Sequence, residues 1–262
     1  MELECGAIRA VFDLDCGGRL AALCIDGLEV LVTEGSGDTE WGCYPMVPWA
    51  GRVRDGRFVI DGRTHQLPQN LPPHALHGTV FGEQWSSHDD GTLRCSLGHH
   101  WPWSGDVRSM VTLDAEGLTW RMEVHAGDSA FPAVVGWHPW FRRTLADNSV
   151  GSLSFEPHAM LTRDATGIPT GERVPPTSGP WDDCFTGVDT NPRVRWTNGL
   201  EVELSSTCSH WVVYDEPAHA ICVEPQSGPP DAFNLGEAEW VRPGQPLVHT
   251  MTLRWRRPSR AQ

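Results

Sequence analysis

Apolar side chains in this chain recur every second residue and almost nowhere every three or four. Leu118, Trp120, Met122, Val124 and Ala126 face one way, while Thr119, Arg121, Glu123 and His125 face the other. Successive side chains of a strand point to opposite faces, so this is the pattern of a half-buried antiparallel strand. The last strand repeats it with Leu247, Met251, Leu253 and Trp255, and His249 falls on the same face as a core or rim histidine. Ile8, Ala10, Phe12 and Leu14 alternate as well; Gly17-Gly18 then turns the chain into a short strand through Leu20, Ala22 and Cys24. Asp61-Gly62 sits between extended runs at 58–60 and 63–67, which is a strong hairpin signal, and Asp89-Asp90-Gly91 makes another. Residues 163–181, rich in Pro, Gly and Thr, read as a long excursion between strands. The expected fold is all-β: a large antiparallel β-sandwich with few or no helices. No internal repeat or long linker interrupts the 262 residues, so one domain over residues 1–262 is expected.

Composition removes several function classes. The net charge of −14 makes nucleic acid and anionic membranes poor partners. Basic residues gather at 254–260, but Trp255, Pro258 and Ser259 break the run, which reads as a solvated tail. Eight cysteines include no CxxC pair, the N-terminus is acidic, and no apolar run approaches membrane-span length. Reduced, mostly buried thiols in a cytoplasmic protein fit this best. The oligomeric state is not readable. Thirteen tryptophans suit a core and also suit stacking on sugar rings or bases.

Five stretches gather polar and aromatic residues against Gly and Pro. In Cys222-Val223-Glu224-Pro225-Gln226 an apolar strand runs up to a single carboxylate. Pro225 has no N–H for a ladder, so the strand should end at or beside Glu224 and hold it at the sheet rim. In Gly136-Trp137-His138-Pro139-Trp140-Phe141, Pro139 similarly ends a strand beside an imidazole that aromatics would shield; a packed core histidine is the alternative. Two prolines and two glycines around Arg52 and Arg54 present possible clamps for hydroxyls or carboxylates, or else two solvated arginines. His74 and His77 have HxxH spacing, but the surrounding Pro and Gly exclude a helix and no third metal ligand is evident. His77, before Gly78, is the better candidate for a polar site residue. Asp182-Asp183 beside Trp181 and Phe185 suits an acceptor for sugar hydroxyls, or surface turns. There is no Gly-rich phosphate loop and no G-x-S-x-G elbow. The inventory favours proton transfer on a polyhydroxylated ligand with neither metal nor cofactor.

The chain resembles the aldose 1-epimerase (galactose mutarotase) family. The matching stretches, in order, are Pro48-Trp49-Ala50-Gly51-Arg52-Val53-Arg54-Asp55-Gly56-Arg57-Phe58, Leu76-His77-Gly78, His138-Pro139-Trp140-Phe141, Asp182-Asp183-Cys184-Phe185 and Glu224-Pro225-Gln226. The resemblance implies a large antiparallel β-sandwich with a sugar site on one sheet. It implies Glu224 as general base and His138 as general acid, with His77 and Arg52 on the ring-oxygen side of the sugar. Asp182, preferred to Asp183 for its spacing to Phe185, would bind hydroxyls. The implied reaction opens and recloses a hexopyranose to exchange its anomers. A Glu–His pair is expected to hold opposite protonation states with small shifts from ordinary values. Gly51 replaces the family's usual Asn and Thr79 its second Gly, both at places where substrate choice is expected to shift. A hexose-6-phosphate 1-epimerase, with Arg52, Arg54 and Arg57 around the phosphate, and a non-catalytic carbohydrate-binding protein are the alternatives.

Overall fold

The computed structural model of the protein describes residues 1–256, so most of the basic run at 254–260 lies outside the described residues. Two large antiparallel sheets face each other. The first has 11 strands; its middle runs Cys43–Met46, Gly136–Arg142, Ala220–Gln226, His210–Tyr214, Asp182–Val188 and Pro157–Arg163, with Pro169–Val174 at the edge. The second has 8, with Gly105–Leu113, Gly117–Ala126, Leu247–Arg256 and Glu201–Ser206 at its centre. The alternation that signals a strand at 118–126 also fixes which face is inside: Leu118, Trp120, Met122 and Val124 are buried. Trp120 bridges the layers, meeting Phe12 edge-on at 5.1 Å and Trp137 at 6.4 Å between ring centroids. Such offset or edge contacts suit the ring quadrupole better than a face-to-face stack. Among the described residues the one α-helix is Ala232–Leu235, and no helix is long and apolar enough to cross a membrane. The chain is all-β, as its periodicity requires.

The Asp61-Gly62 hairpin joins Arg57–Ile60 to Arg63–Gln66, and the Asp-Asp-Gly turn joins Ser86–Ser87 to Leu93–Ser96. Ile8–Asp13 pairs with Arg19–Ile25, but Leu23 and Ile25 are buried there while Ala22 and Cys24 are only half-buried. The register explains the change of phase. Val11 lies opposite Ala22 and Phe12 opposite Leu20, which leaves Ala21 as an extra, bulged residue. A bulge breaks strict alternation and swaps the faces beyond it. The excursion at 163–181 contains a hairpin, Pro157–Arg163 with Pro169–Val174, before the chain reaches Asp182.

The prolines do not end their strands. Ala220–Gln226 runs through Pro225, with Trp211 opposite Pro225 and Gly136 opposite Gln226. Gly136–Arg142 likewise runs through Pro139, which lies opposite Cys43. Each proline removes one donor, yet neighbours on both sides keep the strand in the sheet. Glu224 and His138 are consequently buried in mid-sheet, only 2% and 5% exposed, and not at a rim.

The central strands are buried on both faces. Trp137, Phe141, Val213, Ile221 and Val223 enter the core between the sheets. Tyr44, Met46, Trp140 and Cys222 form a second apolar cluster on the opposite face, beneath the loops. That opposite face carries the site.

Candidate active site

Register aligns the polar side chains of this face in rows. Tyr44 lies opposite His138, Val212 opposite Glu224, and Cys184 opposite Val212. Gly136 faces Gln226 and Trp140 faces Cys222, which puts His138 beside Glu224. One row therefore reads Tyr44, His138, Glu224, Val212, Cys184. The next, about 7 Å along the strands, reads Trp140, Cys222, Tyr214, Asp182.

His138 and Glu224 touch: Nε2 lies 3.1 Å from Oε1. The His138 ring is stacked between Tyr44, at 4.8 Å, and Trp140, at 5.3 Å. The Gln226 amide donates to Glu224 Oε2 at 3.2 Å, so both carboxylate oxygens are engaged. Burial pushes the Glu224 carboxyl well above its ordinary value, with the Asp182 charge adding to it. Burial pushes the His138 imidazole well below its own, with His77 adding to it. The small shifts expected from sequence are thus replaced by large ones, because both groups are removed from water. Both shifts favour the uncharged forms, and the two groups stand in hydrogen-bond contact.

Loops supply the rest of the cleft. The Arg52–Val53 strand pairs with Ala75–Leu76, which brings Arg52 and His77 together. Asp231, buried at 3% exposure, holds this loop: its N–H donates to Arg52 O at 2.7 Å and its Oδ1 accepts from Arg54 N–H at 2.9 Å. His77 has a left-handed backbone, φ 59°, and its Nδ1 accepts from Gly51 N–H at 3.2 Å. Burial, helped by Arg52, pushes its imidazole down to about 3. A neutral imidazole with Nδ1 accepting carries its proton on Nε2, so His77 can act there only as a donor. His74 is used differently, accepting from Asp55 N–H at 3.1 Å.

Arg52, His77, His138, Asp182 and Glu224 all line one cleft of about 270 Å³. Asp182 Oδ2 lies 3.8 Å from Arg52 Nη1, and burial raises its carboxyl against the pull of Arg52 and Arg163. Asp183 also lines the cleft, tied to Arg163 Nε at 2.7 Å. Arg54 turns away to Asp164 at 2.7 Å and to Asp231 at 3.6 Å. Sequence reasoning gave no role to Gln226, Tyr44, Trp140 or Arg163. Gln226 was findable, because two residues after Glu224 puts it on the same strand face. Arg163 gave no signal: it lies 19 residues before its partner Asp182.

The sequence profile of the family described as Aldose 1-epimerase matches residues 3–254. The chain belongs to the aldose 1-epimerase family. A galactose mutarotase-like protein of Clostridium acetobutylicum superposes with a TM-score of 0.86 at 17% identity, over 98% of this chain and 95% of that one. A galactose 1-epimerase of Lactobacillus acidophilus NCFM gives 0.77 at 17%, over 98% and 94%. At these identities the likeness is one of fold. An uncharacterized Escherichia coli K12 protein, YphB, is 37% identical over 112 residues, which is 39% of this chain and 38% of that protein.

The two departures from the family pattern have different standing. Gly51 lines the cleft at φ 67°, and a Cβ there would lie 2.6 Å from Pro230 Cγ. The family's usual Asn has no room, because Pro230 occupies its place. Thr79 is outside the cleft lining; its N–H donates to Val47 O at 2.9 Å. Of the two positions, Gly51 lines the cleft and Thr79 does not. Gly78 between them is required by packing, since a Cβ would lie 2.0 Å from Val47 O.

Proposed function

We propose that this protein interconverts the α and β anomers of an uncharged aldose, a hexose first of all, by acid/base-catalysed ring opening. The observation that carries this reading is the 3.1 Å contact of His138 Nε2 with Glu224 Oε1 at the floor of a sugar-sized cleft. Transfer of a proton from Glu224 to His138 across this contact arms the pair; Glu224 then takes the proton of the anomeric hydroxyl as His138 gives one to the ring oxygen. The bond between C1 and the ring oxygen breaks, leaving an open-chain aldehyde. Rotation about C1–C2 presents the other carbonyl face, and closure reverses both transfers. One proton shared across the pair serves either direction. Arg52 and the Nε2–H of His77 donate on the ring-oxygen side, while Asp182 accepts from a hydroxyl. Each positioned proton transfer is typically worth about 10²- to 10⁴-fold.

A phosphorylated hexose fits less well. Of the three arginines available for a phosphate, Arg54 is spent on Asp164 and Asp231, and Arg57 is outside the cleft lining. The lining carries Glu40, Asp182, Asp183 and Glu216 against Arg52 and Arg163, an unfavourable field for a dianion. A binder without catalysis has no use for a buried titratable pair, whose burial is costly. All eight cysteines are free thiols, which suits a reducing compartment; cytoplasmic residence is part of the reading.

Polarimetry on fresh α-glucose and α-galactose tests the function. The protein should speed mutarotation above buffer, and Glu224→Gln should slow it about 10²- to 10⁴-fold with the fold intact. Full activity in that variant would remove Glu224 as the base. Faster turnover of a hexose 6-phosphate than of the free hexose would favour the phosphate reading.

A further inference from the structure

The Pro157–Val174 hairpin closes one side of the cleft and is fastened there at two points. Asp164 begins its turn: Oδ1 accepts from Thr166 N–H at 2.8 Å and Thr166 Oγ1–H at 2.6 Å, which leaves Oδ2 to meet Arg54 Nη1 at 2.7 Å. On the returning strand, Arg173 pairs with Glu237 at 2.6 Å. Gly167 at the tip lies over Arg52, its would-be Cβ 3.7 Å from Arg52 Nη1. Arg163, the last residue before the turn, points into the cleft and is 31% exposed at its side chain.

Arg163 is held by two carboxylates but not exhausted by them. Its Nε meets Asp183 Oδ1 at 2.7 Å and its Nη1 donates to Asp182 Oδ2 at 3.2 Å. Its Nη2 makes no hydrogen bond to protein among the described residues. A guanidinium has five N–H donors in a rigid fork, so donors remain for a ligand. The same Asp182 oxygen faces Arg52 from the other side at 3.8 Å. Asp183, Arg163, Asp182 and Arg52 therefore form an alternating line of acceptors and donors along one wall. Neighbouring hydroxyls of a pyranose each need a donor and an acceptor, and their relative orientation decides whether such a line fits. Asp182 stands one row beyond His138 and Glu224 and Arg163 reaches it from the hairpin, so this end of the wall lies where the sugar carbons away from the reacting bond would lie.

The geometry points to Arg163 as a second substrate-binding guanidinium that reads hydroxyls remote from the anomeric carbon and so sets which aldose is accepted. The inference rests on the aldose reading of the cleft. Arg163 makes no contact with the proton-transfer pair, so its loss acts on binding and preference, not on the chemical step.

The test uses the full chain as wild type, Arg163→Ala and Arg163→Lys. Mutarotation of anomerically pure galactose, glucose and mannose gives kcat and KM, and ligand-observed NMR titration of each sugar gives Kd without turnover. Arg163→Ala should raise KM and Kd for the preferred sugar about tenfold, leave kcat within about twofold, and narrow the spread of kcat/KM among the sugars. Arg163→Lys should recover part of the affinity but not the preference, since an ammonium lacks the fork. Unchanged Kd and preference in Arg163→Ala would overturn the inference. So would an equal loss of kcat for every sugar at unchanged KM, the mark of a merely structural residue. If wild type binds sugar without turning it over, the mutarotase reading fails alone and the Kd comparison still decides Arg163. If wild type binds none of the sugars, both readings fall.

Discussion

The floor and the wall of the cleft are built by different means. On the floor, His138, Glu224, Tyr44 and Gln226 stand on adjacent strands and are all almost fully buried. Their relative positions follow from backbone register, backed by the hydrophobic core on the other side of the same strands. On the wall, Arg52, Arg163, Asp182 and Asp183 are partly exposed, come from a loop, a hairpin and a strand end, and are placed by ion pairs. A floor fixed by register suits chemistry that fails when an atom moves by 1 Å. A wall of partly exposed ion pairs is placed by side-chain contacts and not by register, so it can be rearranged without moving a strand. Under the proposed function, bond-making falls to the sheet and substrate choice to the attachments.

The largest expected effect tests the floor. Glu224→Gln and His138→Asn should each lower kcat about 10²- to 10⁴-fold with KM little changed, and the double variant should be scarcely worse than either single one. Single-turnover polarimetry checks this; additive losses would mean that the two residues do not work as one unit.

Next comes the seam where wall meets floor. Gly51→Asn should cost about 1–3 kcal/mol of stability through overpacking against Pro230, seen as a lower urea midpoint. Adding Pro230→Ala should recover most of it. If the single variant is as stable as wild type, Pro230 is not what excludes the family's Asn.

A smaller effect separates the groups by pH. His77 is held at about 3 in the folded protein, against about 6.5 when unfolded. Between those values the unfolded chain binds a proton that the folded chain refuses. The stability from this group is therefore full above about 6.5 and drains as pH falls toward 3. Glu224 is raised and His138 lowered, so their slopes oppose each other between about 4.5 and 6.5. His77→Asn, which tolerates the left-handed backbone, should flatten the acid limb of a urea-midpoint series from pH 7 to 5. An unchanged limb would place the sensitivity elsewhere.

The smallest effect lies at the hairpin fastening. Asp164→Asn should leave the melting temperature unchanged while raising KM about two- to threefold, an effect that high salt reproduces in wild type. A large loss of stability would make the hairpin part of the structural frame.

Much of this was legible in the amino acids. Alternation at 118–126 fixed strand, face and fold class together, since period two permits one outcome. The five stretches that converge on the cleft were each marked by polar residues set among Gly, Pro and aromatics. Their position in mid-sheet was not visible: Pro225 and Pro139 argue locally for a strand end, and only pairing on both flanks overrides them. The phase error at Ala22 and Cys24 came from a bulged Ala21 that no residue type announces. Arg163 stayed hidden because its role depends on how a hairpin folds back across the cleft. The size of the shifts at the Glu–His pair was misjudged for a related reason, since burial is a property of the assembled sheet.

The rows of side chains on the floor also set what kinds of change this architecture can absorb. Insertion or loss of one residue within Gly136–Arg142 or Ala220–Gln226 would turn His138 or Glu224 into the hydrophobic core and bring a tryptophan or valine into the cleft. No gradual path of length change leads through that. The turn at 164–168 connects two strands at the sheet edge and can lengthen, shorten or be exchanged without disturbing the order of the rows. Under the proposed function, diversification of such a protein would be channelled into its edge hairpin, reaching new sugars by altering a turn while the His138–Glu224 pair stays where it is.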